Sequence, residues 1–309
     1  MNKTQQVCIL MGTYNGAAYL AEQLISIENQ SHKNWRLIIS DDGSTDDTVA
    51  IAKSFQEKWG GDRLEIREGP QDGFCKNFLS LVCDPTIKAD FYAFSDQDDV
   101  WMVDKLSVAL AYFNAENNVY MPRVYCGRTC LVDEKLKVIG YSCLFALPRS
   151  FRNALVQSIA GGNTMVMNQS AKDFLEKVGL VNVVSHDWWV YQLVQGVGGV
   201  VYYDPEPTIF YRQHDASLVG SNKSVMAKFE RLFYVLNGRF KEWNSINYAA
   251  LLAINHLLTK ENQNTLITFG KLRGAAFKDR VRLLEVCGLF RQTWQSTLSL
   301  WFANIINKI

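Results

Sequence analysis

The stretch Ser95-Asp96-Gln97-Asp98-Asp99-Val100-Trp101 sets three carboxylates within four residues, directly after an apolar run at 91–94. Like charges so close repel one another and favour protonation unless a cation intervenes. Hard oxygen ligands at this density suit Mg2+ or Mn2+, with phosphate oxygens and water completing the shell. A solvated acidic loop is the plainer alternative, and the apolar run and Trp101 on either side argue against it. No twelve-residue loop closed by a late Glu follows, which excludes an EF-hand calcium site.

Two further polar clusters lie upstream. Thr13-Tyr14-Asn15-Gly16 puts an aromatic into a polar turn, where it can cradle a planar ring, although Asn-Gly is also an ordinary turn. In Ser40-Asp41-Asp42-Gly43-Ser44-Thr45-Asp46, Asp46 reads as the cap of a following helix. Capping leaves the adjacent Asp41 and Asp42 unexplained; paired acids there can accept hydrogen bonds from a base's imide N–H or a ribose hydroxyl. Downstream, His186-Asp187-Trp188-Trp189 fits a helix N-terminus, with Asp187 favourable to the dipole and the tryptophans in a core. His32 and His256 have no polar cluster around them and read as structural.

The elements that position these clusters alternate in type. Residues 6–11, 35–40, 64–67 and 91–95 read as strands. Residues 17–28, 46–59 and 74–82 read as helices between them, the first with Leu20, Leu24 and Ile27 at helical spacing. That alternation predicts an α/β protein with a mainly parallel sheet and helices on both faces. Ligands bind beyond the carboxyl ends of such strands, which selects the loops at 12–16, 41–46 and 96–101. Short strands are expected at 124–126, 164–167, 200–203 and 208–211. From Ser224 onward the pattern turns helical, with one apolar stripe of Phe229, Leu232, Phe233, Leu236, Phe240 and Trp243. Trp294, Leu298, Trp301, Phe302 and Ile305 form a second stripe.

The ordered set TYNG, DDGSTD and SDQDDVW resembles the nucleotide-sugar-binding half of a family 2 glycosyltransferase of GT-A fold. The segment GFCKNF at 73–78 is similar to the glycine and Asn-Phe stretch between the family's second and third motifs. SDQDDVW, with Lys105 shortly after, is most similar in form to bacterial rhamnosyltransferases. The resemblance covers roughly residues 5–215. It implies that Thr13, Tyr14, Asn15, Asp41 and Asp42 hold the nucleoside. It also implies that Asp96 and Asp98 fill the D-x-D positions contacting the ribose and the metal-bound diphosphate. Gly161-Gly162-Asn163-Thr164 resembles the acceptor-side glycine segment, and Asp187 stands where the family carries its catalytic acid or base. Tyr211-Arg212-Gln213-His214 resembles a segment lining the donor diphosphate, with His214 either a metal ligand or phosphate donor or a structural histidine.

The resemblance further implies an inverting transfer with Asp187 as general base. The leading donor is dTDP-β-L-rhamnose, and the acceptor a lipid-linked bacterial glycan of O-antigen or capsule assembly. A galactosyl- or glucosyltransferase using a UDP-sugar is the competing expectation. A Rossmann dehydrogenase would need Gly-x-Gly-x-x-Gly after the first strand, which Gly12-Thr13-Tyr14-Asn15-Gly16 does not supply. A non-catalytic binding module would not need both Asp98 and Asp187.

Composition sets the outer bounds. The 309 residues are 48% hydrophobic with only 6 Pro, which fits a folded globular chain. Seven cysteines without a Cys-x-x-Cys pair indicate neither a disulfide framework nor a zinc ribbon and suggest a reducing, cytosolic setting. No signal-peptide pattern or membrane-spanning run is visible. The expected organisation is a catalytic domain over 1–222, with a nucleotide-sugar half to about 120 and an acceptor half beyond it, followed by a helical region over 223–309. Residues 1–222 carry a charge balance of −7 and residues 223–309 a balance of +8. A basic amphipathic tail predicts peripheral attachment to an anionic membrane surface on the cytoplasmic side, with no nucleic-acid partner.

Overall fold

The computed structural model describes residues 5–116, 118–213 and 237–309. Strands β1 (Val7–Thr13), β2 (Trp35–Asp41), β3 (Leu64–Glu68) and β4 (Phe91–Ser95) form one end of a seven-stranded sheet. The other end holds β6 (Arg123–Gly127), β9 (Val166–Asn168) and β10 (Val200–Asp204), in the order β10-β6-β9-β4-β1-β2-β3. The pairs β1/β2, β1/β4 and β2/β3 are parallel, whereas β9 runs antiparallel to both β4 and β6. Val7 to Met11 and Phe94 are wholly buried, as a sheet covered on both faces requires. Helices α1 (Leu20–Glu28), α2 (Thr48–Trp59), α3 (Gly73–Val82) and α4 (Lys105–Asn114) connect the strands. Leu20, Leu24 and Ile27 are the buried stripe of α1.

The register explains why three loops distant in sequence become neighbours. Strand β1 lies between β2 and β4, with Thr13 beside Asp41 and Met11 beside Ser95. The carboxyl ends of three adjacent parallel strands therefore deliver the Tyr14, Asp42 and Asp96 loops to one edge of the sheet.

A second sheet of four short strands was not apparent from the sequence pattern. It has the order β5 (Val100–Trp101), β11 (Ile209–Arg212), β7 (Cys130–Val132), β8 (Val138–Tyr141). Strands of two to four residues carry too little alternation to stand out. Its pairing Ile209↔Trp101 brings Arg212 to the acidic loop.

By contact the chain divides into two compact units. One comprises Met1–Cys143, Ala160–Leu180 and Tyr202–Gly220; the other comprises Leu144–Ile159, Val181–Val201 and Ser221–Ile309. Helix α6 (Gln169–Val178) belongs to the first unit. The described part of the second is helical apart from the first two residues of β10: α5 (Phe151–Ala154), α7 (His186–Gly196), α8 (Arg239–Ala253), α9 (Lys260–Gly274), α10 (Phe277–Cys287) and α11 (Trp294–Ile305). Within it α7 is anchored by Trp188, whose Nε1 donates to Ala154 O at 2.7 Å, and by Tyr191, whose hydroxyl donates to Asn153 Oδ1 at 2.8 Å. A Cβ at Gly196 would come within 2.8 Å of Leu258 Cδ2, so this end of α7 packs closely enough to need glycine.

The two apolar stripes of the tail fare differently. Phe229, Leu232, Phe233 and Leu236 lie outside the described residues, while Phe240 is buried on α8. On α11 the buried residues are Leu300, Ala303 and Asn304. The stripe of Trp294, Leu298, Phe302 and Ile305 is the exposed face, with Trp301 half-buried at its edge.

Candidate active site

The loop after β1 is held by the loop after β2. Asn15 adopts φ +47°, a left-handed conformation that asparagine tolerates. Its Oδ1 accepts from Thr45 N at 2.8 Å, and its own N–H donates to Ser44 Oγ at 2.8 Å. The buried Thr13 hydroxyl donates to Asp41 Oδ2 at 2.8 Å. Asp41 also accepts from Ser44 Oγ at 2.6 Å, Ser44 N at 2.8 Å and Gly43 N at 3.2 Å. Four donors fill the lone pairs of one carboxylate, so Asp41 shapes the turn. Asp42 accepts two backbone N–H groups, from Gln71 at 2.6 Å and Gly73 at 2.9 Å, and retains acceptor positions. Asp46 accepts the N–H of Thr48, the first residue of α2, at 3.0 Å, and that of Ala17 at 3.1 Å. It therefore ties the start of α2 to the first loop, while the N-cap position expected for it is taken by Asp47, one residue later, without a side-chain capping bond.

Helix α3 shows what the GFCKNF segment does. Buried Asn77 donates to Ser40 O at 2.8 Å, bracing the end of β2. Phe78 packs edge-on to Phe94 of β4, with ring centroids 5.5 Å apart.

The acidic loop gathers Asp96, Asp98 and Asp99, with one carboxylate oxygen of each within 4.8 Å of the others. Asp99 is fully buried. It accepts from Asn163 Nδ2 at 2.5 Å and from Arg212 N at 3.3 Å. Burial, and then the Asp98 charge beside it, push the Asp99 carboxyl well above the usual carboxylate range. Lys105 is also fully buried, its ammonium 4.9 Å from the Trp101 ring centroid, and burial pushes it down. Such a cluster of hard, mutually repelling oxygens fits a small divalent cation.

Asp187 lies in the first turn of α7. Its Oδ1 accepts from Ser185 Oγ at 2.5 Å and from Trp188 N at 2.6 Å. Oδ2 accepts no hydrogen bond among the described residues, so only one of the two oxygens is fixed. The adjoining His186 is buried and pushed down to about 4 by that burial, with Asp187 opposing it. It is neutral at neutral pH and packs in the helical core. His214 lies outside the described residues.

Three residues that matter here were not singled out as binding residues by sequence reasoning. Gln97, the spacer of D-x-D, clamps the first loop: Tyr14 N donates to its Oε1 and its Nε2 donates to Tyr14 O, both at 2.9 Å. A Cβ at Gly16 would collide with that amide, which is why glycine closes the turn. Tyr14 itself is left 58% exposed. Arg212 is buried, and its guanidinium is engaged by the protein itself. It donates to Asp98 O at 3.0 Å and Glu134 O at 2.5 Å, pairs with Glu22 and stacks on Tyr19. Asn163, from the glycine segment, holds Asp99 as described. An amide between two acids and an arginine at a strand's end were the available signals, but neither reveals its partner without the tertiary structure.

Residues 8–175 match the Glycosyl transferase family 2 profile. The chain belongs to glycosyltransferase family 2. It is 32% identical over 248 residues to the dTDP-rhamnosyl transferase RfbG of Shigella flexneri, covering 75% of this chain and 81% of that protein. Among solved structures, S. aureus TarS 1–349 in complex with UDP-GlcNAc superposes with a TM-score of 0.57 at 14% identity, covering 91% of this chain and 79% of that one. The mannosyltransferase PcManGT from Pyrobaculum calidifontis, in complex with GDP-Man and Mn2+, gives 0.53 at 14% identity, covering 99% and 88%. These likenesses establish the GT-A fold of this glycosyltransferase.

The Gln97 clamp gives a first expected result. In Gln97→Ala both hydrogen bonds to the Tyr14 backbone are lost, a net weakening of about 1 kcal/mol each. Donor KM should rise about tenfold with kcat changed little, and circular dichroism should match the wild type. Steady-state kinetics with varied donor decides it; an unchanged KM would show that the clamp does not serve donor binding.

Proposed function

We propose that this glycosyltransferase moves L-rhamnose from dTDP-β-L-rhamnose, with inversion, onto a lipid-linked glycan acceptor in bacterial O-antigen or capsule assembly. The observation that carries the sugar is the 32% identity to a dTDP-rhamnosyl transferase across 75% of the chain. Tyr14, with Thr13 and Asn15 shaping its loop, holds the nucleoside together with Asp42, while Asp41 maintains the turn. Asp96 and Asp98, backed by buried Asp99, hold Mg2+ or Mn2+. The bound ion supplies charge neutralisation for the departing diphosphate.

Asp187 takes the proton of the acceptor hydroxyl as that oxygen attacks the anomeric carbon opposite the leaving group. The support is geometric. Ser185 and the Trp188 N–H fix Oδ1, and Oδ2 remains able to accept. No covalent intermediate is needed, because a single displacement inverts the centre. Residues 1–222 carry the chemistry in this reading, and 223–309 keep the enzyme at the cytoplasmic face of the membrane where the acceptor is anchored. Among the described residues no helix is long and apolar enough to cross a membrane.

A donor screen tests the sugar. With dTDP-rhamnose, UDP-galactose, UDP-glucose and UDP-N-acetylglucosamine offered separately with Mn2+, nucleoside diphosphate release should be fastest from dTDP-rhamnose. Faster release from a UDP-hexose would replace rhamnose with that sugar and leave the family assignment intact.

A further inference from the structure

Helix α11 is built of Trp294-Gln295-Ser296-Thr297-Leu298-Ser299-Leu300-Trp301-Phe302-Ala303-Asn304-Ile305 and contains no charged residue. At 100° per residue, Trp301, Trp294, Ile305, Leu298 and Phe302 fall in one continuous arc of roughly 100°. Leu300, Ala303 and Asn304 fall on the opposite arc, where they are buried, and Asn304 Nδ2 donates to Arg280 O at 3.1 Å. The helix therefore docks on its own unit through one face and shows solvent the other. Trp294 is 70% exposed, Leu298 58%, Phe302 42% and Ile305 44%. Scattered apolar residues on a surface need no explanation; four large ones on a single helical face with no charge among them do.

The charge around this face indicates what covers it. Between Val286 and Ile309 the chain carries Arg291 and Lys308 and no acid. At the carboxyl end of α11, Lys241 Nζ donates to Asn307 O at 3.2 Å, and Arg273 Nε donates to Ile309 O at 3.3 Å. The guanidinium of Arg273 also donates to Lys241 O at 3.2 Å, so these two cations and Lys308 sit at one end of the apolar face. Part of that cluster serves the helix dipole. One or two cations would do so; residues 237–309 as a whole hold ten Lys and Arg against four acids, Glu242, Glu261, Asp279 and Glu285, an excess that fits an anionic plane better than a second protein's mixed surface. Indole rings at the first position and two turns on are suited to the headgroup boundary, where one edge is apolar and the other wet.

We propose that the outward face of α11, through Trp294, Leu298, Phe302 and Ile305, inserts into the interfacial layer of an anionic bilayer, with Lys241 and Lys308 against the headgroups. This deepens the membrane attachment proposed above by naming its surface, and it requires nothing of the sugar or metal assignments.

The test is flotation of the full-length protein with phosphatidylcholine vesicles, with and without phosphatidylglycerol, at low and high salt. The comparison is a Trp294→Ser, Leu298→Ser, Phe302→Ser variant. All three side chains are exposed, so folding should survive, which circular dichroism and unchanged donor hydrolysis check. Wild type should float with phosphatidylglycerol vesicles at low salt and less at high salt. The variant's partitioning should drop by at least about tenfold. Equal flotation by wild type and variant, or no flotation of the wild type, would overturn the proposal. So would a wild-type dimer in sedimentation that the variant converts to monomer, which would make the face a contact between copies. None of these outcomes touches the glycosyl-transfer reading, whose readout is donor hydrolysis.

Discussion

Asp98→Asn should lower metal-dependent turnover by about 10³-fold while leaving the fold intact, the loss expected when several kcal/mol of transition-state charge stabilisation disappear. The reason lies in the cluster. Asp96, Asp98 and Asp99 converge within 4.8 Å, and Asp99 is buried behind the loop with Asn163 and the Arg212 backbone holding its oxygens. Asp98 is partly accessible, so removing its charge takes a candidate metal ligand away without opening the core. The neutral amide relieves repulsion on Asp99, so thermal stability should hold or rise slightly. Turnover against Mn2+ concentration, with EDTA-treated wild type as reference, measures it. Full wild-type activity in excess EDTA, with bound metal excluded by elemental analysis, would sink the metal assignment.

Asp187→Asn should lower kcat by about 10²-fold or more with donor KM nearly unchanged. The substitution keeps the size of the side chain and an oxygen that can still accept from Ser185 and Trp188 N. It removes only the ability to take a proton. His186 cannot substitute, because its ring is buried in the helical core and out of reach of a substrate hydroxyl. A mutant that lost donor binding and kept its turnover rate would move Asp187 into the nucleotide site.

The chemistry-bearing clusters and the parallel sheet could be read from the chain because both are local. An apolar run such as VCILM declares a strand buried on both faces, and the polar residues that follow it declare a loop at its carboxyl end. From those two facts the three loops at 12–16, 41–46 and 96–101 follow with no knowledge of contacts. Carboxylate density at Asp96, Asp98 and Asp99 was likewise visible, since repulsion depends on spacing alone.

Division of labour within each cluster was not visible. Asp41 and Asp42 are identical residues side by side, yet one is saturated by its own turn and the other keeps acceptor positions. Only the positions of Thr13, Ser44, Gln71 and Gly73 decide which. Gln97 looked like a spacer because its partner Tyr14 lies 83 residues away in sequence. Arg212 lies in a segment that resembles one lining the donor diphosphate, and only the four-stranded sheet shows it turned inward onto the Asp98 carbonyl and Glu22.

By itself the sequence determined the strand–loop–helix alternation and the residue types available for chemistry, because these depend on composition, periodicity and spacing along one chain, while its ordered motifs carried the resemblance to the family. Tertiary structure alone decided which polar groups are occupied by the protein itself and which face of α11 meets solvent. An apolar stripe on a helix states that one side avoids water. When both sides carry apolar residues, as Leu300 and Ala303 do opposite Trp294 and Leu298, only packing against the rest of the fold selects the side that is buried.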